Sequence, residues 1–269
     1  MWLFWRTIYL VVIADIMGQL KILLAVDLSS IAIATYYTTG NEDTFASMVN
    51  RTANAVKATH IIFAADTPGG SDRRRQILAE YKADRSDALD RDLYVTNIAT
   101  KLMSEGRVVV GGDYEADDYL NSIVNHARPV FDHTYVFTND RDMWALITGS
   151  ASVVMRRHGQ SVIMGELDVF REIGVYPEQY PFWKALVGDP SDNLGGVRGI
   201  GDKIATTLVK KYGNLDNLYA SLDSVRARDR KLLEIGKELA YKTYQVVSLQ
   251  SPPMPFEFTV RDMQYHGSL

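Results

Sequence analysis

Cysteine is absent from the 269 residues. Disulfides, thiolate–zinc sites and thiol nucleophiles are therefore excluded. Histidine is scarce: His60, His126, His133, His158 and His266 are scattered, with no metal-ligand spacing. A bound metal would need oxygen ligands, which favours Mg²⁺ or Mn²⁺. There is no excess of positive charge, because 29 Lys and Arg stand against 33 Asp and Glu, a net charge of −4. That total does not mark a nucleic-acid binder, although a cluster of acids can conceal a basic surface elsewhere. Long apolar runs are missing too. The opening stretch MWLFWRTIYLVVIADIMGQLK is apolar, but Arg6 and Asp15 interrupt it. Its uncharged runs fall well short of the roughly 20 residues that span a bilayer. No small-x-small cleavage site follows it. Met17 leads straight into the first strand-like run, so translation is expected to start there, and residues 1–20 are read as an N-terminal extension outside the fold. No Ser-His-Asp set, GxxxxGK phosphate loop, internal repeat or low-complexity tract is found.

What is present is a core-forming share of apolar residues, 46%, in a chain long enough for one large domain or a main domain with an appendage. KILLAVD (21–27), HIIFAAD (60–66), RVVVGG (107–112) and TYVFTND (134–140) are short runs rich in Val, Ile and Phe, and SVVMRR (152–157) resembles a fifth. Each reads as a strand buried on both faces. The intervening stretches suit crossover helices, so the expected class is α/β, a mostly parallel sheet with flanking helices. Beyond about residue 180 the pattern changes. GDPSDNLGGVRGIGDKIATTLVKKYG opens with turn residues and passes into helical periodicity that ends at Gly213, and KLLEIGKELAYKTYQVVSLQ reads as a further helix.

Three of the strand-like runs end in acids, Asp27, Asp66 and Asp140, and the 107–112 run is followed by Asp113 and Glu115. In open α/β sheets ligands bind outside the carboxyl ends of the strands. Acids distant in sequence should therefore meet at one edge. The plain structural reading is that Asp is a good helix N-cap after such a strand. It explains single acids well, but it explains poorly four strand ends together with the tight cluster Glu115, Asp117 and Asp118. With Asp142, Asp189 and Asp192 added and Asp113 set aside, the roster is nine carboxylates. Two unit charges about 4 Å apart repel by roughly 4 kcal/mol at an effective dielectric of about 20, so such a group requires cations. Two Mg²⁺ ions would supply them, and two-ion sites suit in-line attack of water on a phosphodiester. The remaining negative field would repel that substrate, so basic residues must come from elsewhere. One source is the span Asp72–Asp92, which carries six bases and six acids. Its plain reading is a solvated helix. The functional one is a helical cover with Arg73, Arg74, Arg75, Lys82 and Arg85 facing the acids. A second source is GGVRGIGDKIA: Arg198, Lys203, Lys210 and Lys211 against Asp202 make residues 196–211 net +3. Closely spaced glycines before a helix let backbone N–H groups approach a phosphate.

The motifs AVDLSS, IIFAAD, EYKADR, YEADDYL, FTNDRDMWALI and GDPSDNLGGVRGIGDKIATTL, in this order, resemble those of the 5′-nuclease or flap endonuclease family, over most of residues 21–250. The resemblance implies a PIN-like catalytic domain (21–185) with a helical arch at about 68–100, and a helix–hairpin–helix DNA-binding region with a C-terminal tail (186–269). It implies Mg²⁺-dependent 5′→3′ cleavage of flap, nicked or branched duplex DNA in DNA replication, with Mn²⁺ as a substitute metal. On this resemblance Asp27, Asp66, Glu115 and Asp117 form the first metal site, and Asp117, Asp140, Asp142 and Asp192 the second. Asp118 and Asp189 support them as outer acids. Lys82 and Arg85 resemble the arch residues that contact the scissile phosphate, with Tyr81 stacking on a terminal base. Gly196, Arg198, Gly199, Gly201 and Lys203 resemble the hairpin that grips duplex backbone, with a K⁺ ion. Members often carry an arginine a few residues after the first aspartate. Here DLSSIAIATYY has none, the next being Arg51.

Two further readings share the acidic edge: a PIN-type ribonuclease and a catalytically inactive nucleic-acid-binding protein. The hairpin region and the covering segment argue against the first, and the retained acids against the second. The partners expected are DNA, with an RNA–DNA primer duplex as a further substrate, and no membrane. The protein is expected to be a monomer in the cytoplasm, the host cytoplasm for a bacteriophage protein.

Overall fold

The structure is a computed structural model in which residues 20–84 and 88–269 are described. The expectation concerning Met17 and the residues before it, and the one for Arg85, lie outside the described residues. The strands are β1 (Ile22–Asp27), β2 (His60–Ala64), β3 (Val109–Val110), β4 (His133–Phe137), β5 (Ala151–Arg157) and β6 (Gln160–Met164), arranged in one sheet in the order β3-β2-β1-β4-β5-β6. β1 to β5 run parallel, and β6 pairs antiparallel with β5. The sheet is mostly parallel, as the apolar runs imply. The β5–β6 hairpin is an addition. It turns on His158 and Gly159, both with positive φ (50° and 80°), the geometry of a two-residue primed turn. His-Gly is a weaker signal for that turn than Asn-Gly or Asp-Gly, and β6 is the strand without an apolar run to announce it.

The helices are α1 (Leu28–Thr38), α2 (Glu42–Val56), α3 (Asp72–Ile77), α4 (Leu89–Ser104), α5 (Ala116–Ala127), α6 (Glu166–Ile173), α7 (Tyr180–Val187), α8 (Asp202–Tyr212), α9 (Leu215–Ala220) and α10 (Ala227–Val247). Successive strand residues point to opposite faces, and this divides the core in two. Leu23 and Ala25 pack with α5 through Leu120, Ile123 and Val124. Leu24 and Val26 pack with α1, α2 and α4 through Ile31, Val49 and Ile98. A third core joins α7 to α10 through Phe182, Leu186, Leu208, Val209 and Leu233. The chain then returns across the sheet domain: Ser122 donates to Pro252 O at 2.7 Å, and Gln264 bridges His60. Among the described residues no helix is long and apolar enough to cross a membrane.

Candidate active site

Parallel strands place their carboxyl ends together, and the acids follow. Asp27 ends β1 and caps α1, accepting from Ser30 N at 2.9 Å with Oδ1 and from Thr138 Oγ1 at 2.7 Å with Oδ2. Asp66 lies just past β2 and accepts from Ala116 N at 2.8 Å. It thereby anchors the start of α5, the helix that presents Glu115, Asp117 and Asp118. Asp140 follows β4 and accepts from Asp142 N at 2.8 Å, capping a short 3₁₀ turn over Arg141–Leu146. Asp189 accepts from Ser191 N at 2.8 Å. The N-cap reading holds for Asp27, Asp140 and Asp189, and it leaves room for a second use of the same carboxylates. A carboxylate has about four lone-pair sites, and a cap uses one or two of them.

The electrostatics bring the acids into one field. Burial, with Asp66 and Asp140 adding repulsion against the bonds from Ser30 and Thr138, pushes Asp27 up to about 7. Burial and the nearby Asp140 and Asp27 hold Asp117 well above the carboxylate range, opposed by Lys82 and Arg74. Burial pushes Asp142 up to about 6, with Lys184 opposing and Asp140 and Asp192 adding to the rise. Among the described residues, Asp142, Asp189 and Asp192 each offer an oxygen within 4.8 Å of the other two. Neither histidine nor cysteine joins them. An all-oxygen set is the chemistry that hard cations such as Mg²⁺ or Mn²⁺ take, so the residues present fit such an ion.

The protein's own cations already lie among these acids. Lys184 on α7 is buried, bonds Asp142 and lies 2.5 Å from Asp189 Oδ2. Although burial opposes its charge, Asp142, Tyr180 and Asp189 raise its pKa. In the other direction, despite burial, Lys184 holds Asp189 below the usual carboxylate range. Sequence reasoning missed Lys184. The signal was a lone lysine inside the apolar helix YPFWKALV, since a lysine is almost never fully buried without a partner. Arg74 is buried as well. Its guanidinium donates to Glu115, to Asp118 Oδ1 at 2.8 Å and to Val246 O at 2.9 Å. Glu115 also accepts from Tyr81 OH at 2.9 Å and from Lys82 Nζ at 2.6 Å. Lys82 has a left-handed backbone (φ 54°), and its N–H donates to Asp192 O at 2.9 Å.

These contacts revise the expected cover. It is a short helix, α3, followed by turns, with α4 packed on the sheet rather than over the acids. Of its described basic residues, Arg74 and Lys82 face in. Arg73 lies over the Tyr114 ring, 4.8 Å from its centre, and Arg75 pairs with Asp72 at 3.8 Å. Tyr81 is not offered to a base in this conformation: its ring is buried with Leu194, Val246 and Val247. Arg74 is an internal tie rather than an exposed DNA contact, because its donors are taken up by Glu115, Asp118 and Val246. Asp118 accepts from Arg74 and from Gln250 N at 2.7 Å, both on Oδ1, as a supporting acid would; Glu115 is engaged more fully, with Arg74 and Tyr81 on one oxygen and Lys82 on the other.

The hairpin stands beside the acids. Arg198, Gly199, Gly201 and Lys203 are exposed at the start of α8, whose N-cap, Gly201, makes no side-chain capping bond. Gly196 has a different reason to be glycine: a Cβ there would come within 2.3 Å of Val187 C, where the short strands β7 (Gly188–Asp189) and β8 (Leu194–Gly195) meet.

Comparison with known proteins agrees with this arrangement. A family model described as 5′-3′ exonuclease, N-terminal resolvase-like domain, matches residues 23–174, and one described as 5′-3′ exonuclease, C-terminal SAM fold, matches residues 175–268. A 5′-3′ exonuclease of Halalkalibacterium halodurans is 31% identical over 206 residues, covering 72% of this chain and 68% of that protein. The thermostable DNA polymerase I of Thermus thermophilus is 32% identical over 181 residues, covering 66% of this chain but 21% of the polymerase. The bacteriophage T5 D15 flap endonuclease, solved as a pseudo-enzyme–product complex with DNA and metal ions, has the same fold: TM-score 0.73, 22% identity, 84% of this chain and 89% of that one. The chain is a PIN-like α/β domain with a C-terminal helical region, and it is a nuclease that belongs to the 5′-3′ exonuclease family.

Proposed function

We propose that the protein hydrolyses the phosphodiester backbone of DNA at 5′ flaps, nicks or branches, removing flaps or RNA primers during replication with two divalent ions, Mg²⁺ in the natural setting. The observation that carries this reading is the meeting of the strand-end acids with Asp142, Asp189 and Asp192, whose oxygens lie within 4.8 Å of one another. Asp27, Asp66, Glu115 and Asp117 would hold one ion; Asp117, Asp140, Asp142 and Asp192 the other. Asp118 and Asp189 steady them. When bound, the ions supply Lewis acidity, an activated water and charge stabilisation on the attacking and leaving oxygens.

The chain's own residues bind and orient the substrate. Lys82, which bonds Glu115 at 2.6 Å, would contact the scissile phosphate together with Arg85, three residues on. Arg198, Gly199, Gly201 and Lys203 provide backbone N–H groups and positive charge for the phosphates of the duplex, without reading bases, and a K⁺ ion is expected there. The protein acts as a monomer, in the cytoplasm.

The test is a cleavage assay with 5′-labelled flap DNA and a matched RNA, each with Mg²⁺ and with chelator. Metal-dependent cleavage of the DNA is expected. Cleavage of RNA alone would establish the ribonuclease reading instead. DNA binding without cleavage under any metal would establish an inactive binding protein.

A further inference from the structure

Three carboxylates as close as Asp142, Asp189 and Asp192 need a cation, and a buried ammonium needs carboxylates. Lys184 satisfies both demands at once: it is 4% exposed, bonds Asp142, and lies 2.5 Å from Asp189. Its helix, α7, is fixed between the 3₁₀ turn carrying Asp142 and the C-terminal core, so the lysine cannot be withdrawn by moving its backbone alone. Its side chain can move. Lys184 opens onto a cavity of about 550 Å³ lined by Ser30, Asp140, Asp142, Tyr180 and Asp189, and a lysine stem has four rotatable carbons.

We infer that Lys184 is an internal counter-cation that competes with the second divalent ion for Asp142. It holds the carboxylates together in the metal-free protein, gives up Asp142 when the ion arrives, and remains paired with Asp189. The second ion therefore has to displace the charge-assisted hydrogen bond from Lys184 to Asp142, which weakens its binding. This inference rests on the two-ion reading of the site and adds to it a residue that sets the affinity of one ion.

The probe is Mn²⁺ titrated by calorimetry into the full chain, without DNA, comparing wild type with Lys184→Met, which keeps the apolar stem and loses the charge. The second binding event is expected to tighten by about tenfold or more, the scale of a lost hydrogen bond to a charged group, while the first changes by less than about threefold. Equal tightening of both events would mean a diffuse field effect and would overturn the inference, as would an unchanged or weakened second event. Where Lys184→Met does not fold, the wild type decides. With isotopically labelled lysine, the Lys184 ammonium resonance should shift with the midpoint of the second Mg²⁺ ion and not the first. A resonance unmoved at saturating Mg²⁺ would overturn the inference while leaving the nuclease reading intact. A wild type that binds no divalent ion would bring down both.

Discussion

Asp27 carries the sharpest consequence at the scale of a residue. Its ordinary pKa of 3.8 is raised to about 7 by burial and the neighbouring Asp66. A carboxyl raised on folding binds more protons folded than unfolded, so in the metal-free protein stability falls as pH climbs between those two values and is flat above them. In chelator the urea midpoint should drop between about pH 5.5 and pH 8, by a loss on the order of 2 kcal/mol. Asp27→Asn should reduce that slope, the remainder belonging to Asp117 and Asp142, which folding also raises; an unchanged slope would show that the titration lies elsewhere. Asp140 tests the chemistry. It borders Asp27, Asp117 and Asp142, so Asp140→Asn should reduce flap cleavage by about a hundredfold or more. DNA binding measured in chelator should survive or tighten, because one repulsive charge is gone. A near-normal cleavage rate would remove Asp140 from the site.

Among the elements, the tie between α3 and the last long helix, α10, is the one most open to measurement. Arg74 on α3 reaches Val246 O on α10 and joins Glu115 to Asp118 at the start of α5. Taking away one partner of a buried ion pair leaves the others uncompensated, at a cost of about 3–5 kcal/mol. Arg74→Met should lower unfolding stability by that amount in urea denaturation. A loss below about 1 kcal/mol would mean that Glu115 and Asp118 find other donors, Tyr81, Lys82 and Gln250 N being the nearest. The three arginines 73–75 could not be told apart in the sequence. In a helix they point in three directions, and only the packing of α3 against α10 selects Arg74.

For the whole molecule, acidic overall, DNA must be held by local positive charge. Lys203 is exposed on α8 and packs into none of the three cores, so Lys203→Ala should leave the melting temperature unchanged while reducing the salt slope of DNA binding by about 1. An unaltered slope would place the duplex on another face. The succession of doubly buried strands is legible because burial on both faces demands unbroken Val, Ile and Phe, and a parallel arrangement of such strands puts the acids at their ends, Asp27, Asp66 and Asp140, at one edge. The helical end at Gly213 was legible for a similar reason, its positive φ of 77° being a glycine's conformation. Local chemistry of this kind acts over a few residues and is written in them. The pairing of Lys184 with Asp142 and Asp189, the burial of Tyr81 and the diversion of Asp118 to Arg74 and Gln250 are different. They join residues far apart in the chain, and which carboxylate a buried cation neutralises depends on distances that only the packed helices establish.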